Sequence, residues 1–213
     1  MSASEELERV GPVLTALRGV GATISIDTSK RAVAEAALDE GAEIVNDVTA
    51  LRGDPELAGL CADRGCGVIL MHMLGTPRTM QEAPSYDDVV DDVKAFLAQR
   101  LRFALDAGIE EERIWIDPGI GFGKTLEHNL EMLRRLGELR DLGRPICIGT
   151  SRKSFIGKIT RRDVDDRIGG TIASNVLALA GGAEVFRVHD VRAVGEALEV
   201  AEAVLGRRDA VRA

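Results

Sequence analysis

Asp27, Asn46 and Asp117 each close a short apolar run, in "TISID", "EIVNDV" and "RIWIDPG". A carboxylate in such a place can hold two adjacent N–H donors of a heterocycle, one per oxygen, or it can cap a helix or close a loop salt bridge. Asn46 offers a donor and an acceptor. An amide at the end of an apolar strand needs a partner, either turn backbone or a ligand. Lys153 in "SRKS" and Arg187 in "RVHD" bring positive charge, and His189 can donate a hydrogen bond or pass a proton near neutral pH. Two residues apart on a strand, Arg187 and His189 would share one face. Converging cations in an acidic chain suit an anionic substrate portion such as a phosphate or diphosphate, although "SRKS" alone is equally a solvated charge cluster. His72 in "LMHM" is either a rim group or a core histidine bonded to backbone. Met71 and Met73, which flank it, either wall a planar-ligand pocket or pack the core.

"DPGIGFGKT", residues 117–125, imitates a phosphate cradle, with three glycines, a lysine and a threonine at a strand-to-helix turn. The G-x-x-x-x-G-K-[ST] pattern requires glycine where Pro118 stands, and proline has no N–H to give a phosphate. The glycines are also spaced G-x-G-x-G, which breaks the dinucleotide pattern G-x-G-x-x-G. The stretch is therefore expected to serve Asp117 rather than a nucleotide. His128, further along the helix that follows, is expected at the surface.

These side chains need elements to position them. Six apolar runs are predicted strands: "TISID", "EIVNDV", "GVILMHM", "RIWIDPG", "PICIGTS" and "VFRVHDV". Each is followed by a helical pattern, and several of these patterns finish just before a glycine, as helices ending in a left-handed residue do. Alternating β and α elements imply a parallel sheet in one domain over residues 1–213. In a closed barrel every strand delivers its C-terminal end to one mouth, whereas an open doubly wound sheet gathers its ligand groups at a single switch point. Polar residues end five of the six strands, and the sixth leads through Gly149-Thr150-Ser151 into Arg152-Lys153-Ser154, so the barrel is favoured. Eight βα units take about 250 residues, so six nearly fill this chain. Leu7, Val10, Leu14 and Leu17 form one stripe of an N-terminal helix from Ser4 to Leu17, and the expected fold is a (β/α)8 barrel reduced to about six units.

With 27 basic against 35 acidic residues the net charge is −8, which argues against a nucleic-acid or membrane surface. The start, "MSASEELERVGPVL", carries no leader pattern, and no apolar run approaches the roughly 18 residues of a membrane span, so a cytoplasmic location is expected. Cys61, Cys66 and Cys147 read as reduced, partly buried small hydrophobes. "LGTPRTMQEAPSY", from Leu74 to Tyr86, is a long loop expected to cover the mouth.

Taken in order, "DTSK", "IVNDV", "LMHM.GTP.TMQ", "DPGIGFGK", "GTSRKSFIG", "GGTIASNVLA" and "RVHDV" resemble the bacterial dihydropteroate synthase family, (β/α)8 barrels of folate biosynthesis. The resemblance runs from about Glu5 to Gly206. It implies condensation of 7,8-dihydropterin-6-ylmethyl diphosphate with p-aminobenzoate, with release of diphosphate in the presence of Mg²⁺. By the same match, Asp27, Asn46, Asp117 and Lys153 would bind the pterin edge, and Met71, Phe122 and Arg187 would wall its ring. Arg187 and His189 would hold the diphosphate, while Lys153, Ser154 and Phe122 would border the p-aminobenzoate site. Lys153, Arg187 and His189 are the expected catalytic residues. The family implies a homodimer. Its first two βα units, with an asparagine motif and a serine-threonine-arginine loop, have no counterpart in the sequence given. A catalytically impaired pterin-binding remnant and a pterin-dependent methyltransferase module are the alternatives.

Overall fold

The structure, a computed structural model, describes residues 1–75, 80 and 83–207. Six strands form one sheet: β1 (Ser25–Asp27), β2 (Ile44–Asp47), β3 (Gly67–Met71), β4 (Ile114–Asp117), β5 (Ile146–Ile148) and β6 (Ala183–Phe186). Their order is β1-β2-β3-β4-β5-β6, with β1 to β3 paired in parallel and β5 and β6 likewise. A doubly wound sheet reverses direction at a switch point. Here every strand lies beside its sequence neighbours, which is the arrangement of a (β/α)8 barrel, represented by six units. Helices precede β1 and follow every strand: α1 (Ala3–Leu17), α2 (Arg31–Asp39), α3 (Leu57–Arg64), α4 (Val89–Asp106), α5 (Leu126–Arg134), α6 (Ser154–Thr160), α7 (Ile168–Ala180) and α8 (Val191–Val204).

The chain divides into two compact units, one of Met1–His72 with Ala95–Ile116, the other of Met73–Lys94 with Asp117–Ala213. In the first, Val45, Leu57, Val68, Leu70 and Ile114 are buried in one apolar cluster, each such side chain contributing about 1.5–3 kcal/mol. Helix α1 begins on a capping box between Ser2 and Glu5 and adds Leu14 to that cluster, with Leu7 and Val10 packed against it. Its Glu6 is also buried, accepting hydrogen bonds from Thr28 Oγ1 (2.6 Å) and Lys30 Nζ. Two residues of "DTSK" are thus committed to anchoring α1. After β2, the buried Asp47 carboxylate accepts from the N–H groups of Thr49 and Leu51 (2.7 Å each), while Arg100 donates to the carbonyls of Ala50 and Leu51. These bonds hold Ala50 and Leu51 at left-handed φ of 51° and 62°, a conformation costing about 1–3 kcal/mol per non-glycine residue.

In the second unit, Thr125 caps α5, and His128 completes the cap by accepting from the Thr125 N–H (3.3 Å). His128 is half-buried, edge-on to Tyr86 at 4.9 Å, rather than on the open surface; the cap and the ring contact draw it in. Two helices, α6 and α7, fill the β5–β6 connection, because α6 stops at Arg161 in a left-handed conformation (φ 59°). Strand β6 ends at Phe186, so Arg187 and His189 lie in the loop beyond it and not on a strand face. Pairing with β5 is shifted by an irregularity near its start and persists only to the bond from Arg187 N–H to the Ile148 carbonyl.

Candidate functional site

Each compact unit carries its own group of the expected residues. In the first, the β1–β2 register sets Asp27 directly beside Asn46. Asn46 Nδ2 donates to Asp27 Oδ2 at 2.7 Å. The Asp27 carboxylate is exposed while Asn46 is only 3% exposed, and among the described residues Asn46 Oδ1 finds no hydrogen-bond partner. A buried carbonyl left so costs about 1–3 kcal/mol. It is a neutral acceptor one bond from a carboxylate. Met71, at the end of β3, is fully buried, and His72 just beyond it is also buried, edge-on to Phe96 at 4.9 Å. The Arg52 guanidinium sits 4.8 Å from the Phe96 ring centroid.

In the second unit, Asp117 is 1% exposed at the end of β4. Its Oδ1 accepts from Gly119 N–H (2.7 Å) and its Oδ2 from Arg187 Nη2 (3.0 Å). Arg187 lies across Gly149, where a Cβ would come within 3.2 Å of Nη2, a tight contact that the glycine avoids. Lys153, the residue before α6, directs Nζ to the Ile120 carbonyl and over the Phe122 ring at 4.1 Å from its centroid. Ser154, the first residue of α6, is exposed. His189 is exposed too, with Nδ1 2.9 Å from Ser151 Oγ. The structure thus joins Asp117 to Arg187 and Lys153 to Phe122.

The glycine loop between β4 and α5 is held by side chains turned inward. Lys124 is buried, donating to the carbonyls of Gly119 (3.1 Å) and Phe122 (3.3 Å), and burial lowers its pKa to about 7 against the support of Asp117. Asn129 of α5 accepts from Gly121 N–H (2.6 Å) and donates to the carbonyls of Lys124 and Thr125, while the Tyr86 hydroxyl donates to the Gly123 carbonyl (2.6 Å). At Gly121 (φ +82°) a Cβ would lie 2.9 Å from Lys153 Cδ, so the glycine gives the lysine stem its room. The lysine that imitates a phosphate binder therefore holds the loop carrying Phe122.

Ser151, Lys124, Asn129 and Tyr86 escape sequence reasoning; the one hint is that polar Asn129 falls on the buried face of α5. Of the expected covering loop, residues 76–79, 81 and 82 lie outside the described residues. Among the described residues no group of three or more His, Cys, Asp or Glu could hold a metal ion, and no helix is long and apolar enough to cross a membrane.

Residues 1–189 match the family described as pterin binding enzyme. The dihydropteroate synthase of Synechocystis sp. is 44% identical over 206 residues, covering 96% of this chain and 71% of that protein. The crystal structure of Yersinia pestis dihydropteroate synthase with a sulfonamide drug complex superposes with a TM-score of 0.94 at 38% identity, covering 98% of this chain and 76% of that one. The dihydropteroate synthase of Thermus thermophilus in complex with 6HMPPP gives a TM-score of 0.91 at 46% identity, covering 96% of this chain and 81% of that one. The same enzyme in complex with 4-aminobenzoate gives 0.89 at 46% identity, covering 94% and 77%.

Proposed function

The chain belongs to the pterin-binding enzyme family, and we propose that it acts there as a dihydropteroate synthase. This transferase joins 7,8-dihydropterin-6-ylmethyl diphosphate to p-aminobenzoate, giving dihydropteroate and diphosphate. The observation that carries the reading is the buried Asn46 Oδ1, without a hydrogen-bond partner among the described residues, beside the Asp27 carboxylate, a pair of acceptors suited to the N–H donors along one edge of a pterin. A polar orphan of this kind is tolerated where a ligand satisfies it.

The remaining roles are those that the family resemblance implies. Asp117 and Lys153 bind further edge atoms of the pterin, and Met71, Phe122 and Arg187 bound its ring. In the reaction the C–O bond to diphosphate breaks first, leaving a cation stabilised by the pterin; the amine nitrogen of p-aminobenzoate then forms the new C–N bond and loses a proton. Arg187 and His189 receive the negative charge that gathers on the departing diphosphate, which lowers the barrier to that cleavage. Lys153, already placed over Phe122, borders the p-aminobenzoate site with Ser154 and can meet its carboxylate.

Mg²⁺ stays in the reading as the companion of the diphosphate, but the described side chains do not compose a site for it and no step is assigned to it. A homodimer and a cytoplasmic location are part of the same proposal. Association is supported by exposed Leu177 of α7 and by exposed Val200 and Val204 of α8, apolar groups that a second copy would cover. The test is to mix the purified protein with the pterin diphosphate, p-aminobenzoate and Mg²⁺ and follow dihydropteroate. Product should form. Pterin binding without product would overturn turnover and leave a binding protein, and methyl transfer that survives Lys153→Ala would point to a methyltransferase module instead.

A further inference from the structure

Ser151 and Arg152, consecutive in the turn after β5, bond to His189 and Asp190, consecutive in the loop after β6. The Arg152 guanidinium makes a two-pronged pair with Asp190 (Nη2–Oδ1 2.9 Å, Nε–Oδ2 3.1 Å). Arg152 holds a left-handed φ of 58°, which a non-glycine residue keeps only where its surroundings over-determine it. Here its N–H donates to Thr171 Oγ1 (3.1 Å) and its carbonyl accepts from Arg167 Nη1 (2.8 Å). Those bonds aim the preceding hydroxyl, that of Ser151, at His189.

The proton arrangement follows from donor counting. The backbone N–H of His189 can only donate, so Ser151 Oγ accepts there, at 3.2 Å. A hydroxyl has one proton of its own, and among the described residues its acceptor is His189 Nδ1, 2.9 Å away. Ser151 is buried. Were Nδ1 protonated in the neutral ring, that hydroxyl would be left without an acceptor, which disfavours the arrangement roughly tenfold or more.

We propose that Ser151 is a positioning residue that fixes the neutral His189 ring in its Nε2–H form, with the Arg152–Asp190 pair keeping the two loops in register. The exposed side of the ring then carries a ready N–H donor for a diphosphate oxygen. Only the diphosphate rests on the proposed function; the tautomer stands on geometry alone.

The test is ¹⁵N NMR of the histidine-labelled full chain in alkaline buffer, with the His189 signals assigned by His189→Gln. In the wild type, Nδ1 should show the shift of a bare ring nitrogen and Nε2 that of a protonated one. Ser151→Ala should mix the two forms and weaken binding of inorganic diphosphate about tenfold, while Ser151→Thr, which keeps the hydroxyl, should restore both. A wild-type ring protonated at Nδ1 would overturn the inference without any variant. So would an unchanged ¹⁵N pattern in Ser151→Ala, or failure of Ser151→Thr to restore it. If the wild type makes no dihydropteroate, the enzymatic reading falls while the ¹⁵N pattern still decides this one.

Discussion

Two carboxylates of the same residue type end two strands of this protein in opposite surroundings. Asp27, on β1, is exposed and held by the neutral amide of Asn46. Asp117, on β4, is buried and held by a guanidinium and a backbone N–H. A charge withdrawn from water needs a cation and hydrogen bonds to offset its lost hydration, whereas a charge left in water needs neither. Among the described residues, the first unit therefore leaves an amide acceptor without a hydrogen-bond partner, and the second sets cations near one buried anion. On the proposed function both surroundings meet the neutral ring, through acceptors in the first and a buried charge in the second, while Arg187 of the second also meets the departing diphosphate.

The sharpest way to break this comparison is to neutralise each carboxylate in turn. Asp117→Asn weakens charge-assisted bonds to Gly119 and Arg187 in a buried setting, and kcat/KM for dihydropteroate formation should fall on the order of a hundredfold or more. Asp27→Asn should cost only about tenfold, since water already screens that group. Equal losses would show that the two surroundings do not matter.

A second measurement separates binding from folding. Asn46→Leu removes a buried amide with an unsatisfied carbonyl, so the KM for the pterin diphosphate should rise about tenfold while the melting temperature stays level or increases. A large drop in melting temperature would mean that Asn46 serves the fold instead.

Lys124 sharpens the comparison through pH. Burial lowers its pKa to about 7, so between there and the ordinary lysine value of about 10.4 the unfolded chain binds more protons than the folded one. Stability should therefore rise with pH across that window, by up to about 1.4 kcal/mol per unit, and the cost is fully present below it. Urea denaturation at several pH values should lose this slope in Lys124→Met. A slope that survives the substitution belongs to other groups.

The smallest effect concerns thiols. Burial, reinforced by Asp117, pushes Cys147 up to about 12, while a hydrogen bond with Cys61 draws Cys66 down. A thiol reagent at neutral pH should therefore label Cys66 before Cys147, read by peptide mass, with both slow until the chain opens. Faster labelling of Cys147 would contradict the burial of β5.

Scanning for strand ends was informative, because a polar residue closing an apolar run is hard to place anywhere but at the end of a strand. That held for Asp27, Asn46 and Asp117, each the last or next-to-last residue of its strand. It misplaced Arg187 and His189 onto a strand face, since nothing local shows that β6 stops at Phe186. It also gave no sign that Lys124 turns inward: a lysine at the same place in a phosphate loop faces the phosphates, and only the carbonyls of Gly119 and Phe122 reveal its use here.

The order of strands and helices, the family and the residue types at the strand ends were determined by the sequence itself. Apolar periodicity and glycine stops are local properties of the chain, so they can be seen without coordinates. Which carboxylate is buried against a cation, which glycine leaves room for Arg187, and which hydroxyl sets the proton on His189 were decided only by tertiary structure. Each of these depends on groups far apart in sequence meeting within hydrogen-bonding distance, and burial at that meeting point fixes how strongly the charges act.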